Sequence, residues 1–233
     1  MFFCNKKALL MIKTYGIIAL KYPQYYLECG YRGANMNRKD IINKAFRKNG
    51  GILRTSELNN LGLSSRQINK LLESGDIIRI KRGFYELSDS IYPEEVVIAR
   101  LFPNSVIFLE SALIIYDYTD RIPAAWQIAV DRDSEKTQYK IDYPQINVFY
   151  IEPKLLEVGV DIIQIEGVDI KIFNRDRTIC DVLRYENKLE REVFSKAIQR
   201  YVKDPKVNIS RLLEYSDIFN IKNKVQTYIG VWL

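Results

Sequence analysis

From Met36 onward the apolar positions fall into short periods with clear punctuation. Ile41, Ile42, Ala45 and Phe46 recur as one helical face, and Gly50-Gly51 closes the run. Ile52 and Leu53 read as a very short strand. Thr55 is placed to cap a second helix carrying Leu58 and Leu61, with Glu57 in its first turn and Gly62 as its stop. Leu63-Ser64-Ser65-Arg66-Gln67 opens a third helix. Ser64 and Gln67 fit a capping box, Leu63 sits at the staple position, and Ile68, Leu71 and Leu72 form the inward stripe. Arg66 and Lys70 point away from that stripe, with Gln67 and Asn69 on its flanks. Past Gly75 the period drops to two. Ile78 and Ile80 share one face of a strand, Ile77, Arg79 and Lys81 the other, and Gly83 turns the chain into Phe84–Leu87. Helix, short strand, helix, helix and two-stranded ribbon is the winged helix-turn-helix order.

The rest of the chain mixes the two periods. Pro93 opens a helix running to about Phe102, Ser105–Leu109 is an apolar run, and Glu110–Tyr116 reads as helix. Trp126–Val130 and Ile146–Ile151 read as strands, and VDIIQIEGVDIKIF as a hairpin turning at Glu166-Gly167. Asn174 caps the helix NRDRTICDVLRY. Helical patterns follow near 189–202, 209–217 and 221–231, with Pro205 in a break. The expected fold is α+β: a winged helix-turn-helix over residues 36–88, then a mixed α+β domain over 89–233 with a helical C-terminal end.

Residues 1–35 do not fit this scheme. Lys6 and Lys7 precede an apolar run that Lys13 interrupts and Lys21 closes, and no A-x-A site follows before Met36. That argues against a cleaved signal, and the run is short and charged for a membrane span. We read 1–35 as an N-terminal extension outside the functional protein, an upstream reading-frame extension or a loosely docked appendage.

Composition narrows the chemistry. The 233 residues include no histidine, which removes Ser-His-Asp and Cys-His catalysis and His-based zinc sites. Cys4, Cys29 and Cys180 are too few and too scattered for a disulfide framework or a Cys₄ site, so the expected compartment is reducing, the cytoplasm. Formal net charge is +6, unevenly spread. Residues 36–88 hold eleven Lys and Arg against five Asp and Glu, while 89–233 hold nineteen against twenty-three. A basic module joined to a mildly acidic body suits an anionic partner for the first part.

The candidate partner is double-stranded DNA. A major groove admits one helix, and the third helix would present Ser65, Arg66, Asn69 and Lys70 there, arginine pairing with guanine and asparagine with adenine. The wing residues Arg79, Lys81 and Arg82 would reach the neighbouring backbone or minor groove. Lys39, Lys44, Arg47 and Lys48 on the first helix are candidate phosphate contacts, and Glu73 lies near the exposed face. Neutralising about four to six phosphates gives a log–log salt slope near −4 to −5. Winged helices also serve as protein-interaction modules. Against that stand the cations converging on third helix and wing, and the caps that fit.

The stretch GGILRTSELNNLGLSSRQINKLLESGDIIRIKRGFYEL resembles the N-terminal winged helix of AbiEi-family antitoxins of type IV toxin–antitoxin and abortive-infection systems. FLESALIIYDYTDRIP, IEGVDIKIFNRDRTICDVLRY and RLLEYSDIF continue the likeness in order, from about Ile41 onward. The resemblance implies a repressor that binds inverted repeats in its own promoter. It implies an operon that also encodes a nucleotidyltransferase-like toxin, countered through the C-terminal domain without a stable toxin complex. It also implies no enzymatic activity, no cofactor, no metal and no membrane association.

Two other readings stay open at this level. Asp161, with Asp169-Ile170-Lys171 on a strand, matches the D…(D/E)xK pattern of metal-dependent nucleases, in which carboxylates hold Mg²⁺ and the lysine assists water. The sixteen tyrosines permit an aromatic ligand pocket, hence a ligand-responsive transcription factor. In RTICDVLRY, Arg177, Asp181 and Arg184 could form a polar site around Cys180. The plainer expectation is a capped helix start with Ile179, Val182 and Leu183 in the core and its charges paired on the surface.

Overall fold

The computed structural model describes residues 37–232; the expected extension, 1–35, lies outside the described residues. Residues 42–233 pack as one compact unit. Of the unit before it, only the start of the first helix is described.

That helix, α1 (Arg38–Lys48), buries Ile42 and Phe46; Ala45 is half-buried, and Ile41, expected on the apolar face, is exposed. Gly50 and Gly51 turn the chain with φ of 63° and 75°. A side chain at Gly51 would meet the Tyr92 ring at 2.0 Å, so both its conformation and its neighbours demand glycine. Then come β1 (Ile52–Arg54), α2 (Thr55–Asn60), α3 (Ser65–Glu73), β2 (Ile77–Lys81) and β3 (Phe84–Leu87). The strands form an antiparallel sheet in the order β1-β3-β2. Phe46, Leu53, Leu58, Leu63, Ile68, Ile77, Tyr85 and Leu87 fill the core beneath it, so the winged helix stands as read.

Two details differ from the reading. Thr55 is the first residue of α2 rather than its cap. Arg54 takes the cap position, and its amide donates to Glu57 Oε2 at 2.7 Å, the carboxylate half of a capping box. In β2, Ile77 is the core residue and Ile78 is 47% exposed. The register slips between Arg79 and Lys81, where a bulge breaks the alternation.

The body begins with α4 (Glu94–Leu101), β4 (Val106–Ile107), α5 (Leu109–Ile115) and β5 (Trp126–Asp131). It continues through β6 (Ile146–Ile151), the single turn α6 (Pro153–Leu156), β7 (Val160–Ile165) and β8 (Val168–Phe173). Its sheet runs β6-β5-β4-β8-β7. The β5–β6 and β4–β8 pairs are parallel, the β4–β5 and β7–β8 pairs antiparallel. Ile107, Ile128, Val130, Ile170 and Ile172 face α4 on one side. Val106, Ala129, Ile151 and Phe173 face the helical tail on the other. That tail is α7 (Arg175–Arg184), α8 (Arg191–Tyr201), α9 (Ile209–Ile218) and α10 (Lys222–Tyr228). The Glu166-Gly167 hairpin turn and the Asn174 cap are both present: the two turn residues have φ of 52° and 74°, and Asn174 Oδ1 accepts from the Arg177 amide at 2.9 Å.

The charges of α7 are where the expectation fails. Asp176, Arg177 and Asp181 are fully buried, not paired on the surface. The Arg177 guanidinium lies between the Phe173 and Phe219 rings, 4.1 and 4.2 Å from their centroids. It donates to Asp181 at 2.8 Å and to the Leu155 and Val158 carbonyls at 2.7 Å each. Asp176 accepts from the Tyr201 hydroxyl, the Asn208 amide and Arg211. From Asp176 to Leu183 the helix is covered by β8, α5, α8, α9 and α10 and has no solvent face, so its charges there find their partners inside the protein. Gly159 makes room, since a Cβ there would lie 2.7 Å from that of Arg177.

Candidate nucleic-acid interface

The α3 helix is held from behind by Ile68, and its first turn is fixed by the Ser64 amide donating to Gln67 Oε1 at 2.9 Å. That geometry turns Ser65, Arg66, Asn69 and Lys70 outward, and all four are exposed. Glu73 is exposed at the same helix's end. Among the described residues, neither Arg66 nor Lys70 has a carboxylate within ion-pair distance. The wing turns at Arg82-Gly83, with Arg79 and Arg82 exposed. Lys44, Arg47 and Lys48 line the exposed side of α1, and Lys39 is exposed in its first turn.

Lys81 stands apart from the other wing residues. Its ammonium donates to the Gln138 carbonyl of the body and lies 4.7 Å over the Phe102 ring. Burial pulls its pKa below the ordinary 10.5. The register shift between Arg79 and Lys81 falls just before it in the strand.

Sequence reasoning also missed how the winged helix is fixed to the body. Arg100, at the end of α4, donates to both Glu57 oxygens at 2.7 Å and to the Ile52 carbonyl at 3.1 Å. Burial raises the Glu57 pKa, but the hydrogen bonds from Arg100 and the Arg54 amide outweigh it and hold the carboxyl below 4.5. Ile52, Ile80 and Phe84 insert into the α4 core, so alternate residues of β1 serve two cores: Ile52 the body's, Leu53 the winged helix's. The signal for Glu57 was its place in the capping box; nothing along the chain pointed to Arg100.

The nuclease constellation is not assembled. In the β7–β8 register Asp161 pairs with Ile172 and Gln164 with Asp169. Opposed residues share a face, so Asp161 lies on one face of the hairpin and Asp169 and Lys171 on the other. Among the described residues no group of three or more His, Cys, Asp or Glu is placed to hold a metal ion. Nor is any described helix long and apolar enough to cross a membrane.

Residues 40–88 match the model of a family described as transcriptional regulator, AbiEi antitoxin. No curated protein matches the chain. The matched segment runs from the first turn of α1 to just past the end of β3, about a fifth of the chain. Over those residues, helix-turn-helix and wing together, the chain matches the AbiEi antitoxin transcriptional regulators, the family its sequence resembles.

Proposed function

We propose that this chain is a DNA-binding antitoxin that represses its own toxin–antitoxin operon and counters a nucleotidyltransferase-like toxin without a stable complex. In this reading residues 36–88 are the operator-binding domain, 89–233 the antitoxin domain, and the protein acts in the cytoplasm as a regulator rather than an enzyme. The observation that carries it is the exposed, unneutralised face of α3, within the segment that matches the family. Ser65, Arg66, Asn69 and Lys70 read base edges of inverted repeats in the promoter; Arg79 and Arg82 hold the flanking phosphates. Lys81, part of the same wing set, contributes through its grip on the body.

Footprinting and gel-shift titration on the DNA upstream of the gene test this. The double variant Arg66→Ala/Lys70→Ala is expected to lose roughly tenfold to several hundredfold in operator affinity, one bidentate base contact being worth about 1–3 kcal/mol. Its melting temperature stays that of the wild type, because both side chains are exposed. Unchanged affinity in the variant, or no protected bases upstream of the gene at low salt, overturns the reading.

A further inference from the structure

The β4 strand is two residues long, while its neighbour β8 has six. Their one register pair joins Ile107 to Ile172. Among the described residues, therefore, β8 from Val168 to Lys171 has β7 on one side and no strand on the other. The two-residue turn makes Ile165 and Val168 a hydrogen-bonded pair, so Val168, Ile170 and Ile172 direct their backbone groups to β7. The amide and carbonyl of Asp169 and the amide of Lys171 point the opposite way.

They point into a cleft of about 490 Å³, within the usual size of a ligand site. Its walls are the end of α1 at Lys48-Asn49, the end of α4 at Phe102-Pro103, and Ser105 just before β4. Two cations flank the open edge on opposite faces of the sheet. Lys171 lies on the face away from α4, since Ile170 and Ile172 face α4. Lys48 lies on the α4 face, where a Cβ at the nearby Gly50 would come within 3.0 Å of Val168. Both lysines are exposed, and neither has a carboxylate partner among the described residues. The one acid at the edge, Asp169, is occupied by the Gln164 amide at 2.9 Å.

We propose that this cleft binds an acidic peptide segment of about four residues, added as an extended strand to the free edge of β8. Backbone groups of the peptide pair with Asp169 and Lys171, as in other strand additions. Successive side chains of a strand point to opposite faces, so cations above and below the edge select adjacent carboxylates: one meets Lys48, the next Lys171. Four residues span about 13 Å, the length of the unpaired stretch. Apart from Lys48 and Asn49, the site lies outside the segment that matches the family, and it holds whatever DNA the winged helix reads.

Fluorescence anisotropy with the full chain tests it, using a fluorescein-labelled Thr-Val-Glu-Asp-Val-Thr peptide. Two controls accompany it: Thr-Val-Lys-Lys-Val-Thr, and the acidic peptide N-methylated at its four central amides. The acidic peptide is expected to bind at least tenfold tighter than either. The variant Lys171→Glu, a change on an exposed residue, is expected to lose at least tenfold with an unchanged circular dichroism spectrum. Exchange of the Asp169 and Lys171 amides slows when the acidic peptide is bound. Equal binding of the acidic and lysine peptides, equal binding of the N-methylated peptide, or full affinity in Lys171→Glu each overturns the proposal. Operator binding is measured on the same preparations, so a failure here is separate from a failure of the DNA reading.

Discussion

Helices α3 and α7 each carry charged residues four positions apart, and the fold treats the two pairs in opposite ways. On α3 the pair is Arg66 and Lys70, like charges, both exposed. On α7 it is Arg177 and Asp181, opposite charges, both wholly buried. Like charges at this spacing repel by a few tenths of a kcal/mol and cannot be taken out of water together. That confines them to a helix supported from one side only. Opposite charges can go inside where most of the remaining donors find acceptors. Arg177 meets that condition through Asp181 and two loop carbonyls, with Nη2 alone lacking a partner among the described residues. A charge kept uncommitted is available to a ligand; a charge committed to its neighbours specifies how elements pack.

The widest separation between the two regions comes from removing one charge in each. Asp181→Ala strands the Arg177 cation in the core and takes a partner from Arg184, which donates to Asp181 at 2.7 Å. Burial already pushes the Asp181 carboxyl above its ordinary 3.8, against the pull of both arginines, so the pair has no surplus with which to absorb the loss. The expected cost is about 3–5 kcal/mol. In thermal unfolding that is a fall of roughly 6–20 °C for a chain of this size. Arg66→Ala, by contrast, is expected to leave the melting temperature in place. Equal melting temperatures for Asp181→Ala and wild type would dissolve the contrast.

How much of this was legible in the sequence follows from the same difference. The winged helix could be read because its signals are local. Gly50-Gly51, Gly62, Gly75 and Gly83 mark each element's end, and Ser64 and Gln67 meet within one turn. The outward set on α3 followed from the stripe opposite it. The hairpin turn and the Asn174 cap were legible for the same reason. The burial of Arg177 was not, because Phe219 and the loop carbonyls that enclose it lie 19 to 42 residues away in the chain. Helical periodicity marked Ile179, Val182 and Leu183 as core but had no means of showing that the opposite face is covered as well. Likewise the bulge in β2 is set by pairing with β3, so alternation alone ran one face unbroken from Ile77 through Arg79 to Lys81 where the register slips. The shortness of β4, which opens the cleft on β8, is invisible in an apolar run that simply continues into α5.

A smaller effect is expected where the two regions meet. The Glu57–Arg100 contact is partly shielded, with the side chains 33% and 19% exposed, and Glu57 also caps α2. Glu57→Gln is expected to cost about 1 kcal/mol near neutral pH. The sign with pH follows from the depressed carboxyl: its folded pKa lies below 4.5, the unperturbed value. The contribution is therefore complete above pH 4.5 and is lost as pH falls through the folded value. Chemical denaturation of wild type and Glu57→Gln should give a constant difference from neutral pH down to about 5, shrinking only in more acid solution. A difference that grew on acidification would reverse the assignment.

The smallest effect separates cations within the wing. Arg82 is exposed at the turn, whereas Lys81 is committed to the Gln138 carbonyl and the Phe102 face. Arg82→Ala should lower the slope of log affinity against log salt by about one, the signature of one lost phosphate contact. Lys81→Ala should leave that slope alone and instead cost about 1 kcal/mol of folding stability, the worth of one charged hydrogen bond with a ring contact at a half-shielded site. Salt titrations of operator binding by the two variants decide it. A slope that fell equally in both would mean that the Lys81 ammonium leaves Gln138 for DNA, so that docking of the wing on the body and grip on the phosphates compete for one side chain.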